Sequence, residues 1–134
     1  MRGAVRTVPE RDAVADVDSI VSRVPSRAPQ SLVLHTYPGN FRAFKILIAA
    51  EYNGLEIDVP PFKMLEENRS AEFLAISPLG KVPVLVTPQG SIFESNAIAR
   101  YVARVRRDTE LYGATFFESG QIDSWIDFCC HELE

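Results

Sequence analysis

The sequence is poor in cysteine and histidine. It has two of each in 134 residues. The cysteines, Cys129 and Cys130, are adjacent. That arrangement is neither a disulfide framework nor a CxxC or zinc-finger spacing, and it fits a reducing, cytoplasmic compartment. His35 and His131 have no partner ligands at metal spacing, so no metal site is expected. No apolar run is long enough to cross a membrane. There is no GxxxxGK[ST] phosphate loop. Basic residues are not clustered as a nucleic-acid footprint requires. The formal net charge is −4, and residues 114–134 hold five acids and no Lys or Arg.

Residues 1–30 mix Pro, Ser, Arg and Asp without a sustained period, and they read as a disordered extension. Their four acids argue against an organelle transit peptide, and they lack the apolar core of a secretory signal. Order is expected from residue 31. Leu32-Val33-Leu34 reads as a buried strand, and Pro38-Gly39-Asn40 as a turn into a helix over about 41–53. That helix is apolar almost all round, which predicts cover on several sides. Asn53-Gly54 ends it, and Leu55–Val59 reads as a second strand. Strand, helix and strand in this order favour a parallel crossover. A short helix follows over Ala71–Ile76, then a strand over Val82–Val86, a turn at Thr87-Pro88-Gln89-Gly90, and a returning strand over Ser91–Glu94.

Ser95 is expected to cap the next helix, whose stripe is Ile98, Tyr101, Val102 and Val105. Arg100, Arg104 and Arg107 line its other face and read as solvated. Thr115-Phe116-Phe117-Glu118 is a capping-box pattern. It opens a helix with the stripe Ile122, Trp125, Ile126, Cys129 and Leu133, and with Asp123 and Asp127 opposite. Cys129 is expected in the core and Cys130 toward the acidic face. The helix runs to the final residue and reads as the start of an unfinished helical domain, residues 114–134. Its apolar stripe would favour self-association.

Two spots suggest chemistry. Val82-Pro83 is either a proline at a strand start or a cis peptide that turns the Val82 N–H and C=O toward an extended peptide. Glu94-Ser95 is either a helix cap or a zwitterion site. In the second case the Ser95 hydroxyl and free helix N–H groups would face a carboxylate, and Glu94 an ammonium.

The strings LVLHTYPGNFRAFKILIAAEYNG, GKVPVL and FESNAIARYV resemble the N-terminal, thioredoxin-like domain of glutathione S-transferases. With NRSAEFLAISPLG and QIDSWIDF, the run from about residue 31 to 134 resembles more specifically the gamma subunits of eukaryotic translation elongation factor 1, plant-type above all. The resemblance implies an α/β fold: a mixed four-stranded sheet with helices on both faces over residues 31–113. It also implies that Val82 and cis Pro83 pair with the cysteinyl part of glutathione, and that Glu94 and Ser95 hold its γ-glutamyl end. Lys81 and Arg69 are candidates for its glycine end by position and charge. The transferase hydroxyl position falls on Asn40, which also reads as a helix-capping turn residue. An amide N–H there could still donate to a thiolate, while Tyr37 has a hydroxyl at a different offset. The implied role is a scaffold that anchors the nucleotide-exchange subunits of elongation factor 1. Glutathione is an optional ligand and no cofactor is required. The alternatives are a glutathione-conjugating enzyme and a fragment without an independent role.

Overall fold

The computed structural model describes residues 31–133, so the reading of residues 1–30 lies outside the described residues. The order is β1 (Leu32–His35), α1 (Phe41–Tyr52), β2 (Ile57–Asp58), α2 (Ala71–Ile76), β3 (Val84–Thr87), β4 (Gly90–Phe93), α3 (Ser95–Val105) and α4 (Phe116–Phe128). A π-helical turn, Cys129–Leu133, continues α4. The sheet has four strands in the order β2-β1-β3-β4. β1 pairs parallel with β2 and antiparallel with β3, and β3 pairs antiparallel with β4. This is the expected mixed sheet. The strands are shorter than their hydrophobic runs: β2 keeps two residues of Leu55–Val59, and β3 begins after Pro83.

Side chains alternate across β3 and so define two layers. Leu85 stands opposite Leu34 and Ile92. On that face it joins Leu32, Ile46, Ile98 and Val102 in a core shared by α1 and α3. Val84 points to the other face and meets Phe62 and Phe73. His35, opposite Val84, lies 6.0 Å by ring centroid from each of these two phenylalanines. It belongs to an aromatic cluster rather than to a ligand set.

Helix α1 is covered on one side only. Ala43, Ile46 and Ala50 are buried, whereas Phe41, Phe44 and Ile48 are each at least half exposed. The all-round apolar pattern therefore overstated its cover. At the helix end, Asn53 is 1% exposed. Its Nδ2 donates to the carbonyls of Val102 (2.7 Å) and Ala103 (3.2 Å) at the end of α3, and its Oδ1 accepts from the Thr109 hydroxyl.

Helix α4 starts with the expected capping box. Thr115 Oγ1 accepts from the Glu118 N–H, and the Glu118 carboxylate accepts from the Thr115 N–H. Its packing follows the reading from periodicity only in part: Ile122 and Ile126 are half-buried, but so is Asp123, and Trp125 and Cys129 are exposed. The acidic face meets α3: Arg100 Nε lies 2.7 Å from Asp123 Oδ1, Arg100 also pairs with Asp127, and Arg104 lies 3.9 Å from Asp123. Tyr112 donates to Asp123, and the Arg104 guanidinium lies 4.0 Å above the Tyr112 ring. Arg100 is therefore drawn into a seam, while Arg104 pairs at its edge and, like Arg107, stays exposed as expected. Trp125 is 69% exposed, and no residue of α4 is buried. Cys129, expected in the core, is exposed.

This seam carries a pH dependence. The Tyr112 hydroxyl and, after it, the Arg100 guanidinium hold the Asp123 carboxyl below its ordinary value, against partial desolvation. A carboxyl depressed on folding contributes stability above its unfolded pKa, and the contribution fades as pH falls through the folded value. Acidification below about pH 4 should therefore loosen α4 before the sheet. Amide hydrogen exchange should show Phe116–Phe128 losing protection while β1 and β3 keep theirs. Parallel loss in all three elements would contradict the assignment.

Candidate functional site

The stretch before β3 is clamped from two sides. Ser77, 1% exposed, donates its hydroxyl to the Lys81 carbonyl at 3.0 Å. Asn68, buried, donates Nδ2 to the Gly80 carbonyl at 2.9 Å and accepts from the Leu65 N–H at 2.6 Å. Gly80 adopts φ +60, where an L side chain is disfavoured. The clamp presents Lys81, Val82 and Pro83 to a cavity of about 500 Å³. The Val82-Pro83 peptide is cis. Among the described residues, the Val82 N–H and C=O have no hydrogen-bond partner.

Beside it lies the junction of β4 and α3, because the antiparallel register sets Val84 against Phe93. The cap of α3 is Glu94, and Ser95 is its first helical residue, which corrects the assignment of the cap to Ser95. Glu94 has φ +70 and ψ 116, and its side chain makes no capping bond. A positive φ in a residue other than glycine is uncommon, and it concentrates where surrounding structure enforces it. The Glu94 side chain is exposed and lines the cavity. Ser95 is 8% exposed, and its hydroxyl has no hydrogen-bond partner among the described residues. Val82, Pro83, Glu94, Ser95 and Lys81 all line this one cavity. It combines an unpaired stretch of backbone, the unpaired hydroxyl of a buried serine at a helix start, a carboxylate and an ammonium. Such a set can hold an extended, zwitterionic peptide.

Asn40 and Arg69 stand apart from this group. Asn40 caps α1. Its carboxamide oxygen accepts from the Arg42 N–H at 3.2 Å, and its Nδ2 donates to Thr36 Oγ1 at 3.0 Å. It lines a neighbouring groove of about 420 Å³ bounded by Pro60, Pro61 and Phe62. Arg69 lies in the 3-10 turn Glu67–Arg69 and does not line the cavity.

Among the cavity residues that the sequence reading did not assign to it are Tyr37, Arg42 and Cys130. Tyr37 lines both the cavity and the groove; its place right after β1 was the available signal. Arg42 sits one turn into α1. Cys130 reaches the cavity from the π-helical turn, where a wider helical turn shifts the phase of the side chains. Nothing in α-helical periodicity points to it. Among the described residues no group of His, Cys, Asp and Glu is arranged to hold a metal ion, and no helix is long and apolar enough to cross a membrane.

The family model described as "Glutathione S-transferase, N-terminal domain" matches residues 30–104. "Probable elongation factor 1-gamma 1" of Arabidopsis thaliana is 57% identical over 104 residues, 77% of this chain and 25% of that protein. "Elongation factor 1-gamma" of Rattus norvegicus is 46% identical over 105 residues, 75% of this chain and 23% of that protein. The chain thus spans about a quarter of the length of these relatives. Among solved structures, glutathione S-transferase I from maize, in complex with an atrazine glutathione conjugate, superposes with a TM-score of 0.68 at 27% identity. That match covers 78% of this chain and 49% of the maize chain. Glutathione transferase F2 from Populus trichocarpa gives 0.68 at 27% identity over 75% of this chain and 48% of its own. With its four-stranded sheet, its paired helices and the family match across residues 30–104, this chain belongs to the glutathione S-transferase N-terminal domain family.

Proposed function

We propose that the chain is the glutathione S-transferase-like part of an elongation factor 1-gamma, acting in cytoplasmic protein synthesis as a scaffold that anchors the nucleotide-exchange subunit. The observation that carries this reading is the level of identity. It is 57% to the Arabidopsis elongation factor 1-gamma, against 27% to the maize and poplar transferases. Residue 40 supports the same side. A transferase needs a donor aimed at the thiol, whereas the Asn40 carboxamide is committed to Thr36 and to the start of α1. In this reading residues 31–113 form the thioredoxin-like domain, and α4 opens a helical one.

The cavity supports glutathione as a ligand of the same domain. Val82 would take the cysteinyl backbone, Glu94 and Ser95 the γ-glutamyl end, and Lys81 the glycine carboxylate. A conjugating enzyme is the second reading, favoured by the Tyr37 hydroxyl at the cavity wall.

Tagged chain mixed with the purified exchange subunit tests the scaffold. The expected result is a stable complex on size-exclusion chromatography. Folded chain that elutes alone, alongside measurable conjugation of glutathione to an electrophile, would replace this reading with the enzymatic one.

A further inference from the structure

Cys130 is the one thiol at the cavity wall. It lines the cavity together with Val82, Glu94 and Ser95. Its sequence neighbour Cys129 is the more exposed of the two and does not line the cavity. The cavity itself carries a separate mark of a ligand site: Ser95 is a buried residue, 8% exposed, that lines it, and its hydroxyl, open to the cavity, has no partner among the described residues. A thiol therefore stands beside groups arranged for a zwitterionic peptide. We infer that Cys130 is a site of mixed-disulfide formation with glutathione, selected by the cavity rather than by exposure. This inference rests on the reading of the cavity as a glutathione site.

The step balances without a further reactant. The Cys130 thiolate attacks one sulfur of oxidised glutathione. The disulfide bond of the peptide breaks as the bond between Cys130 Sγ and the bound glutathionyl sulfur forms. The second glutathione leaves as a thiolate and takes up the proton that Cys130 released. Oxidised glutathione is the oxidant, and the free thiol peptide is the reduced product. Reduced glutathione in excess reverses the exchange. The modified chain holds a glutathionyl group across its own cavity, so further glutathione is excluded until reduction.

Selectivity arises from local concentration. A disulfide held by Glu94, Ser95 and Val82 meets Cys130 as a neighbour, while it meets Cys129 only by diffusion. Exposure alone predicts the opposite order.

The experiment uses the full 134-residue chain, oxidised glutathione, and mass spectrometry of the intact chain and of its peptides. Cys130 should be modified at least about tenfold faster than Cys129. Bis(2-hydroxyethyl) disulfide, which has no glutamyl end, should show no such preference. S-methylglutathione, which cannot exchange, should suppress modification of Cys130 and leave Cys129 unaffected. The Ser95→Ala chain should lose the preference. Cys129 reacting as fast as Cys130, or S-methylglutathione failing to protect, overturns the inference. Titration calorimetry of S-methylglutathione into the Cys130→Ser chain separates the two levels. Binding retained while Cys130 shows no preference rejects the mixed disulfide alone. Absence of binding rejects the glutathione cavity with it.

Discussion

Replacing Asn53 with alanine is expected to lower the stability of the chain by about 3 kcal/mol and its melting temperature by more than about 10 °C. The side chain is 1% exposed and occupies a place where two helices end. The carbonyls of Val102 and Ala103 belong to the last turn of α3, so they have no partner within the helix. Asn53 Nδ2 serves both, at 2.7 and 3.2 Å. Its oxygen accepts from Thr109, and its backbone carbonyl accepts from Arg106 at 3.1 Å. Alanine keeps the backbone contact and removes the rest. It leaves carbonyls without a donor where Val102 is wholly buried. Each buried unsatisfied group costs about 1–3 kcal/mol. Asn53→Asp is the sharper control, because it keeps the size and the acceptor but loses both donors. Urea denaturation of the three chains measures the effect. If Asn53→Asp matches the parent chain, the donors do not matter and the account is wrong.

The second large effect is expected at Gly80, where Gly80→Ala should cost about 3 kcal/mol and weaken ligand binding as well. Gly80 has φ +60, and a Cβ built on it would lie 2.8 Å from the backbone oxygen of Asn68 and 3.4 Å from Leu74 Cδ2. The first contact is with backbone, which a rotamer change cannot relieve. To make room, the Asn68 loop must withdraw from the segment it clamps, and Lys81 and Val82 move with it. Gly39 is the natural comparison. It has φ +79 and nothing within 4 Å of its Cβ position, so Gly39→Ala meets only the left-handed penalty of about 1–2 kcal/mol. The difference between the two variants measures the collision. Equal urea midpoints for the two would remove the collision as a cause, and binding of S-methylglutathione unchanged by Gly80→Ala would sever the clamp from the cavity.

Much of this fold could be read from the sequence because its signals are local. The apolar runs of β1 and β3, the Pro-marked hairpin and the Thr115–Glu118 capping box each act within a few residues, and each appears as expected. The helix α2 also matches residue for residue. The errors share a cause. Periodicity reports which side of a helix is apolar, but not which side meets the protein. In α4 the answer depends on Arg100 and Arg104 meeting Asp123 and Asp127 from another helix, and such long-range pairs leave no local pattern. The same limit hid Asn53, which read only as a helix end although its partners lie about fifty residues on. Within the cavity, Val82, Glu94 and Ser95 were legible from the hairpin-to-helix junction. Cys130 was not, because the π-helical turn resets the phase of its helix. Asn40 was placed by counting along α1, which could not say that its carboxamide is held by Thr36.

The bonds between α1 and α3 also fix a polarity. Lys45 near the start of α1 donates to Asn96 near the start of α3, and Asn53 past the end of α1 reaches the end of α3. The two helices therefore run side by side in the same direction. Their peptide dipoles point the same way, so the potentials of the two starts, each equivalent to about half a positive charge, add beyond that end. Both starts flank the cavity, through Arg42 on one side and Ser95 and Asn96 on the other. A chain with a net charge of −4 thus offers an anion a locally welcoming backbone field. A carboxylate entering at that end would be attracted by both helix starts before any side-chain contact.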